Sequence, residues 1–172
     1  MGSPANIFLN NVALGDRAGT VQMHTFDGLT SGHASLAAKA NVNSSELDCK
    51  MITLDSYLAA NRIEAVNFVK VDIEGAELMF LKGALRLFSQ DVPPIFLMEM
   101  AVGQTGNFGY HPNELVEFIA QRGDYEFFAV DEYKGKLESI TGFADGHIGA
   151  NVFCIPRNAA AERRTAIESF IH

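Results

Sequence analysis

The chain of 172 residues contains no tryptophan, two cysteines and five prolines. Cys49 and Cys154 lie far apart and neither sits in a CxxC pair, so a small disulfide scaffold is not expected and a reduced, cytoplasmic protein is. No apolar run approaches the roughly 18 residues that a membrane span needs. Met1 to Asn6 has no basic start and no apolar stretch of the kind a secretory leader carries, and Asn6 stands where a myristoylation signal wants Ser or Thr. Positive charge is scarce as well, with 13 basic against 21 acidic residues and a net charge of −8. Such a surface repels phosphate backbones and anionic lipid, which argues against a nucleic-acid or membrane partner.

What is present is material for a core. Apolar residues make up 48% and charged residues 20%, and the mean hydropathy is +0.07. That balance belongs to a packed globular protein, and residues 1–172 are expected to form a single domain.

Periodicity divides the chain into alternating elements. Residues 6–26 read as two strands joined by a Gly/Asp turn at Gly15–Gly19, and residues 27–46 as a long loop. Leu47 to Thr53 reads as a strand, followed by a short helix that Thr53 or Asp55 could cap. Val66 to Ile73 is an unbroken β-branched run, typical of a buried parallel strand. After Gly75 the period becomes helical, since Leu78, Leu81, Leu85 and Phe88 recur at spacings of three and four.

Pro93-Pro94 ends that helix and launches the strand Ile95 to Met100. Residues 103–110 read as a flexible loop, and a helix follows with Pro112 at its start. Tyr125 to Val130 and Asn151 to Ile155 are further strands, with a polar hairpin region between them. Asn158 can cap a C-terminal helix bearing Ile167, Phe170 and Ile171. The order points to an α/β protein with a mostly parallel sheet, an antiparallel edge and flanking helices.

Ligands of open α/β sheets bind beyond the carboxyl ends of the strands. Asp72, Glu74, Glu99 and the pair Asp131-Glu132 occupy such positions. In an extended segment Lys70, Asp72 and Glu74 share one face, a costly arrangement in a buried strand unless those groups have a use. The structural alternative is that Asp72 or Glu74 caps the following helix while Glu77 favours its positive end. Glu99, alone in an apolar run, must be paired, with Lys70 as one partner, or must face a cleft.

Other patterns carry less. Gly103 to Gly109 lacks the tight first pair of a dinucleotide-binding turn. Ile148-Gly149-Ala150-Asn151 imitates a glycine turn but precedes its strand, which is expected to put it at the wrong end of the sheet. His24, His33, His111, His147 and His172 form no HxxxH pair and read as surface or loop histidines, so no metal site is expected. There is no GxSxG elbow for a serine nucleophile.

Several segments taken together resemble the FkbM-type methyltransferase family: NVALGD at Asn11–Asp16, TLDSYL at Thr53–Leu58, FVKVDIEGAE at Phe68–Glu77, LKGA at Leu81–Ala84, FLME at Phe96–Glu99 and NVFCIP at Asn151–Pro156. The match runs nearly the length of the chain. It implies a Rossmann-like domain that transfers a methyl group from S-adenosylmethionine, usually to a hydroxyl of a sugar or secondary metabolite.

Residue by residue, the resemblance places Asn11 and Ala13 near the adenine and Asp72 against the transferred methyl. Asp72 and Glu74 become catalytic candidates, Glu99 and His33 acceptor-binding candidates. Compared with the family pattern, the first strand, its glycine turn and the second strand are not found, so the domain is expected to be truncated. The strand holding Asp72 would then expose an edge, which either a second copy of the chain or repositioned residues 6–26 are expected to cover. A non-catalytic binding or assembly module is the competing expectation. A carboxylate-based metal enzyme using Asp72, Glu74 and Glu99 is a weaker one.

Overall fold

A computed structural model describes residues 6–26, 35–37, 44–131, 134–159 and, near the C-terminus, 163, 165–167 and 169. His33, Glu132, Phe170, Ile171 and His172, singled out above, lie outside the described residues. Among the described residues eight strands fall into two sheets. Strands β1 (Ala13–Leu14), β2 (Gly19–Phe26) and β3 (Ser44–Ile52) make the smaller one. The two N-terminal strands do not pair with each other: β3 lies between them, parallel to β1 and antiparallel to β2.

Helix α1 (Leu54–Ala60) is capped by Thr53, whose Oγ1 accepts the Ser56 N–H at 3.1 Å. Asp55 does a different job: its carboxylate accepts the N–H groups of Leu85 and Arg86 at 3.1 and 3.0 Å, capping a 3-10 turn (Leu85–Ser89) far along the chain. The expected single helix after Gly75 is split into α2 (Glu77–Lys82) and this turn. The break falls at Gly83, which packs directly on the carbonyl of Gly15, a contact that a Cβ would obstruct.

The larger sheet holds β4 (Phe68–Val71), β5 (Ile95–Ala101), β6 (Tyr125–Asp131), β7 (Lys136–Ile140) and β8 (Gly149–Pro156) in the order β4-β5-β8-β6-β7. The α/β class is as expected, but the sheet is mixed rather than mostly parallel. Within this sheet, among the described residues, only β4 and β5 form a parallel pair, while β8 runs against both β5 and β6. Helical connections let β4, β5 and β6 point one way. β7 then pairs antiparallel with β6, and residues 141–148 return across the sheet to insert β8 in the opposite sense. That return is fastened by Asn113, whose side chain bonds the Phe143 N–H and carbonyl at 2.7 and 3.1 Å.

The expected loop after β5 is instead helix α3 (Val102–Gly106), and Pro112 immediately precedes α4 (Asn113–Ala120). The strand alternation sorts the core into two faces. Phe96, Met98 and Met100 of β5 are completely buried on one side with Leu81, Leu87, Leu115 and Ile119. On the other side, Ile95 and Leu97 pack with Phe128, Phe153, Ile155 and Ile167. β4 is parallel but not buried as expected: it has a strand neighbour on one side only among the described residues, and Phe68 is 50% exposed. No described helix is long and apolar enough to cross a membrane.

Candidate functional site

The site begins with the register of β4 on β5. Lys70 lies opposite Leu97 and Val71 opposite Met98, so Asp72 follows opposite Glu99 at the strand exits. Val71 faces the buried core, and the alternation therefore turns Lys70, Asp72, Leu97 and Glu99 to the other face. The Lys70 ammonium bonds the Asp72 carboxylate at 2.9 Å. The lysine thus pairs with Asp72 and not with Glu99.

Burial is the main reason that the Glu99 carboxyl holds its proton above the usual carboxylate range. The negative fields of Asp72, Glu74 and Glu77 add to it.

Glu74 does not continue the extended face. Its φ of +57° and that of Gly75 at +102° put two consecutive residues in the left-handed region, turning the chain sharply into α2. Neither Asp72 nor Glu74 caps that helix. The residue that fastens the turn is Glu77, only 1% exposed, whose Oε1 accepts the N–H groups of Ile73 and Gly75 at 3.2 and 3.1 Å. Tyr110 closes the arrangement: its hydroxyl lies 2.8 Å from the Gly75 carbonyl and 3.1 Å from Glu77 Oε2. Burial raises the carboxyl of Glu77 above its ordinary pKa despite these bonds.

Two cavities meet this turn. The smaller, of about 340 Å3, opens between β1 and the exit of β4. Val12, Leu14, Met23, Val71 and Phe80 supply apolar walls, and Ala13, Asp72 and Glu74 also line it. Asn11 is exposed and not among its lining residues. The larger, an open depression of about 1110 Å3, lies past the ends of β5 and β6 and is lined by Glu99, Gln104, His111, Asp131, His147 and Asn151 among others. The structure therefore brings Ala13, Asp72 and Glu74 together in one cavity and Glu99 into the next.

Two readings of the sequence need correction here. Ile148 to Asn151 is not at the wrong end of the sheet: because β8 is antiparallel, its first residues lie beside the last ones of β5, with Asn151 opposite Glu99. His111 and His147 are exposed loop histidines, as expected, and they line the depression. Each accepts a backbone N–H at Nδ1, from Asn113 at 3.2 Å and from Gly149 at 3.0 Å, which leaves Nε2 to carry the proton of the neutral ring. His24 is mostly buried on β2, and among the described residues its Nδ1 has no hydrogen-bond partner, the Glu46 carboxylate lying 3.9 Å away. Among the described residues no group of three or more His, Cys, Asp or Glu is arranged to hold a metal ion.

The sequence placed Glu77 only at the positive end of the helix rather than as the fastener of the turn, and it missed Tyr110. Only the spacing of Glu77 after two strand-exit carboxylates offered a signal, and nothing marked Tyr110, which arrives from 33 residues away.

A family model described as the methyltransferase FkbM domain matches residues 3–127, from before β1 into β6. The match includes Ala13, Asp72, Glu74 and Glu99 and stops short of β7 and β8. No curated protein and no solved structure matches the chain.

Proposed function

We propose that this chain, which belongs to the FkbM methyltransferase family, methylates a hydroxyl of a small-molecule acceptor, a sugar or secondary metabolite, with S-adenosylmethionine as donor. The observation that carries the reading is the carboxyl pair Asp72–Glu99, set between an apolar cleft and a polar depression.

The cleft suits part of the donor. Its volume falls at the lower end of the roughly 300–1,000 Å3 typical of ligand sites, and its apolar walls fit a flat ring while Asp72 and Glu74 fit a cationic centre. The cofactor supplies a methyl group activated on a positively charged sulfur. Asp72, held by Lys70, stands where negative charge would orient that centre. Ala13 contributes to the wall, and Asn11 to the rim at most.

In the depression, Glu99 is placed to take the proton of the acceptor hydroxyl as the new carbon–oxygen bond forms and the carbon–sulfur bond breaks, its electron pair staying on sulfur. Proximity supplies most of the acceleration in such a displacement, and the base contributes when the acceptor is an unactivated alcohol.

Calorimetric titration of S-adenosylmethionine into the folded chain tests this reading. Saturable binding that Asp72→Asn weakens is the expected result. No binding by a folded sample would overturn it and leave the assembly-module reading. The open edge of β4 supports a second copy of the chain as the partner there, and light scattering on the same sample reads the mass directly.

A further inference from the structure

Ser35 reaches the turn between β4 and α2 from the side of the small sheet. It is only 3% exposed, and its backbone exchanges both hydrogen bonds with His24 of β2, at 2.8 and 3.0 Å. Its hydroxyl accepts the Ala37 N–H at 3.1 Å and donates to the Glu74 carbonyl at 3.4 Å. Tyr110 holds the next carbonyl in the same way, its hydroxyl lying 2.8 Å from that of Gly75. The two left-handed residues of the turn therefore each have their carbonyl tied to a hydroxyl from a distant segment, while Glu77 takes the N–H groups of Ile73 and Gly75.

We propose that Ser35 is a positioning residue of the donor cleft: by holding the Glu74 carbonyl it fixes the left-handed backbone that presents the Glu74 carboxylate to a cationic donor. The inference rests on the proposed function, in which the donor occupies that cleft. Ser35, Leu36, Asp72 and Glu74 all line it. Glu74 has φ +57°. A residue other than glycine is strained there and stays only where its surroundings over-determine the conformation. Backbone angles also select the side-chain rotamer. Release of the carbonyl therefore lets Glu74 return to an ordinary conformation and turn its carboxylate elsewhere. Asp72 is held independently of Ser35, by Lys70 at 2.9 Å on the same strand.

Charge separates this role from that of a plain wall. S-adenosylmethionine carries a positive sulfur, and S-adenosylhomocysteine, the same molecule without the transferred methyl, carries a neutral thioether. A carboxylate attracts the first more than the second, whereas a contact of shape alone serves both alike. Loss of the Ser35 hydroxyl is therefore expected to weaken the methylated ligand more than the demethylated one. The effect passes through Glu74, so once Glu74 is replaced by Gln, removing the hydroxyl should no longer change the ratio of the two affinities.

The test is calorimetric titration of both ligands into the parent chain, Ser35→Ala, Glu74→Gln and the variant carrying both changes. Ser35→Ala is expected to lower the ratio of affinities, methylated over demethylated, by roughly three- to tenfold, the contribution of one hydrogen bond. Glu74→Gln should lower it as well, and the double variant no further than Glu74→Gln alone. An unchanged ratio in Ser35→Ala, whether or not both affinities fall together, would overturn the inference while leaving the cofactor site in place. So would a further loss in the double variant. Failure of both ligands to bind the folded parent chain would instead overturn the cofactor site itself, and the inference with it. Should Ser35→Ala fail to fold, hydrogen exchange on the parent chain decides the matter. S-adenosylmethionine should then slow exchange of the His24, Ser35 and Gly75 amides more than S-adenosylhomocysteine does, and equal protection by the two ligands counts against Ser35.

Discussion

The hydroxyl of Tyr110 lies 3.1 Å from Oε2 of Glu77, joining the loop before α4 to the turn that leaves β4. Glu77 also accepts two backbone N–H groups of that turn, so its removal leaves buried donors without partners. Glu77→Ala is expected to destabilise the fold by roughly 1–3 kcal/mol, and Tyr110→Phe by about 1 kcal/mol. Denaturant unfolding of the two variants checks both figures. Glu77→Gln keeps one acceptor oxygen and should recover much of the loss. A Glu77→Ala protein as stable as the parent would show that the turn does not need this clamp.

Stability should fall as pH rises through the carboxylate range. Glu77 and Glu99 both hold their protons more tightly in the folded state than in the unfolded one. In the interval from the ordinary value of 4.5 up to the raised ones, the native state therefore binds more protons, and raising pH favours unfolding. Glu99→Gln should flatten part of that decline and increase stability at neutral pH. The gain should stay below about 1 kcal/mol, because Glu99 is partly solvent-screened. Melting temperatures at pH values on either side of this interval, compared between parent and variant, read the sign; an increase of stability with pH in the parent would contradict it.

Gly75→Ala should be among the most damaging single changes. The residue has φ +102°, and a Cβ there would run into the Gln104 carbonyl and the Phe108 ring. Left-handed strain and the backbone clash together should cost more than about 2 kcal/mol. Loss of the cooperative melt, or of cofactor affinity where the variant folds, is the expected outcome.

The two thiols should react at very different rates. Cys154 is completely buried in β8, and burial pushes its thiol far above the ordinary value, whereas Cys49 on β3 is partly exposed. Mass spectrometry after brief alkylation should find Cys49 modified and Cys154 modified only after denaturation. Rapid native labelling of Cys154 would show that the core around β8 opens easily.

Local pattern in the sequence was enough to mark most elements, because each depends on neighbours a few residues away. The alternation in Ile95–Met100 sorts side chains onto two faces, and Pro93-Pro94 and Pro112 bound the elements beside them. The strand-exit positions of Asp72 and Glu99 were equally legible, since a carboxylate at the end of an apolar run stands out wherever the strand lies. The KVDIEGAE segment likewise identified the family.

What the chain alone did not reveal depends on contacts between distant residues. The direction of β8 follows from how residues 141–148 cross the sheet and where Asn113 holds them, and that direction moved Gly149–Asn151 from the expected wrong end to the rim of the depression. α3 formed where glycines suggested a loop, its buried Thr105 hydroxyl bonding back to the Ala101 carbonyl at 3.0 Å. Glu74 left the shared face because Glu77 and Tyr110 hold the turn in a left-handed conformation that spacing does not encode. Periodicity, then, determined which residues form most of the strands and helices, while strand order, direction and the placement of Asp72 beside Glu99 were decided by tertiary packing, because each is fixed by groups that are far apart in sequence and adjacent only in the folded chain.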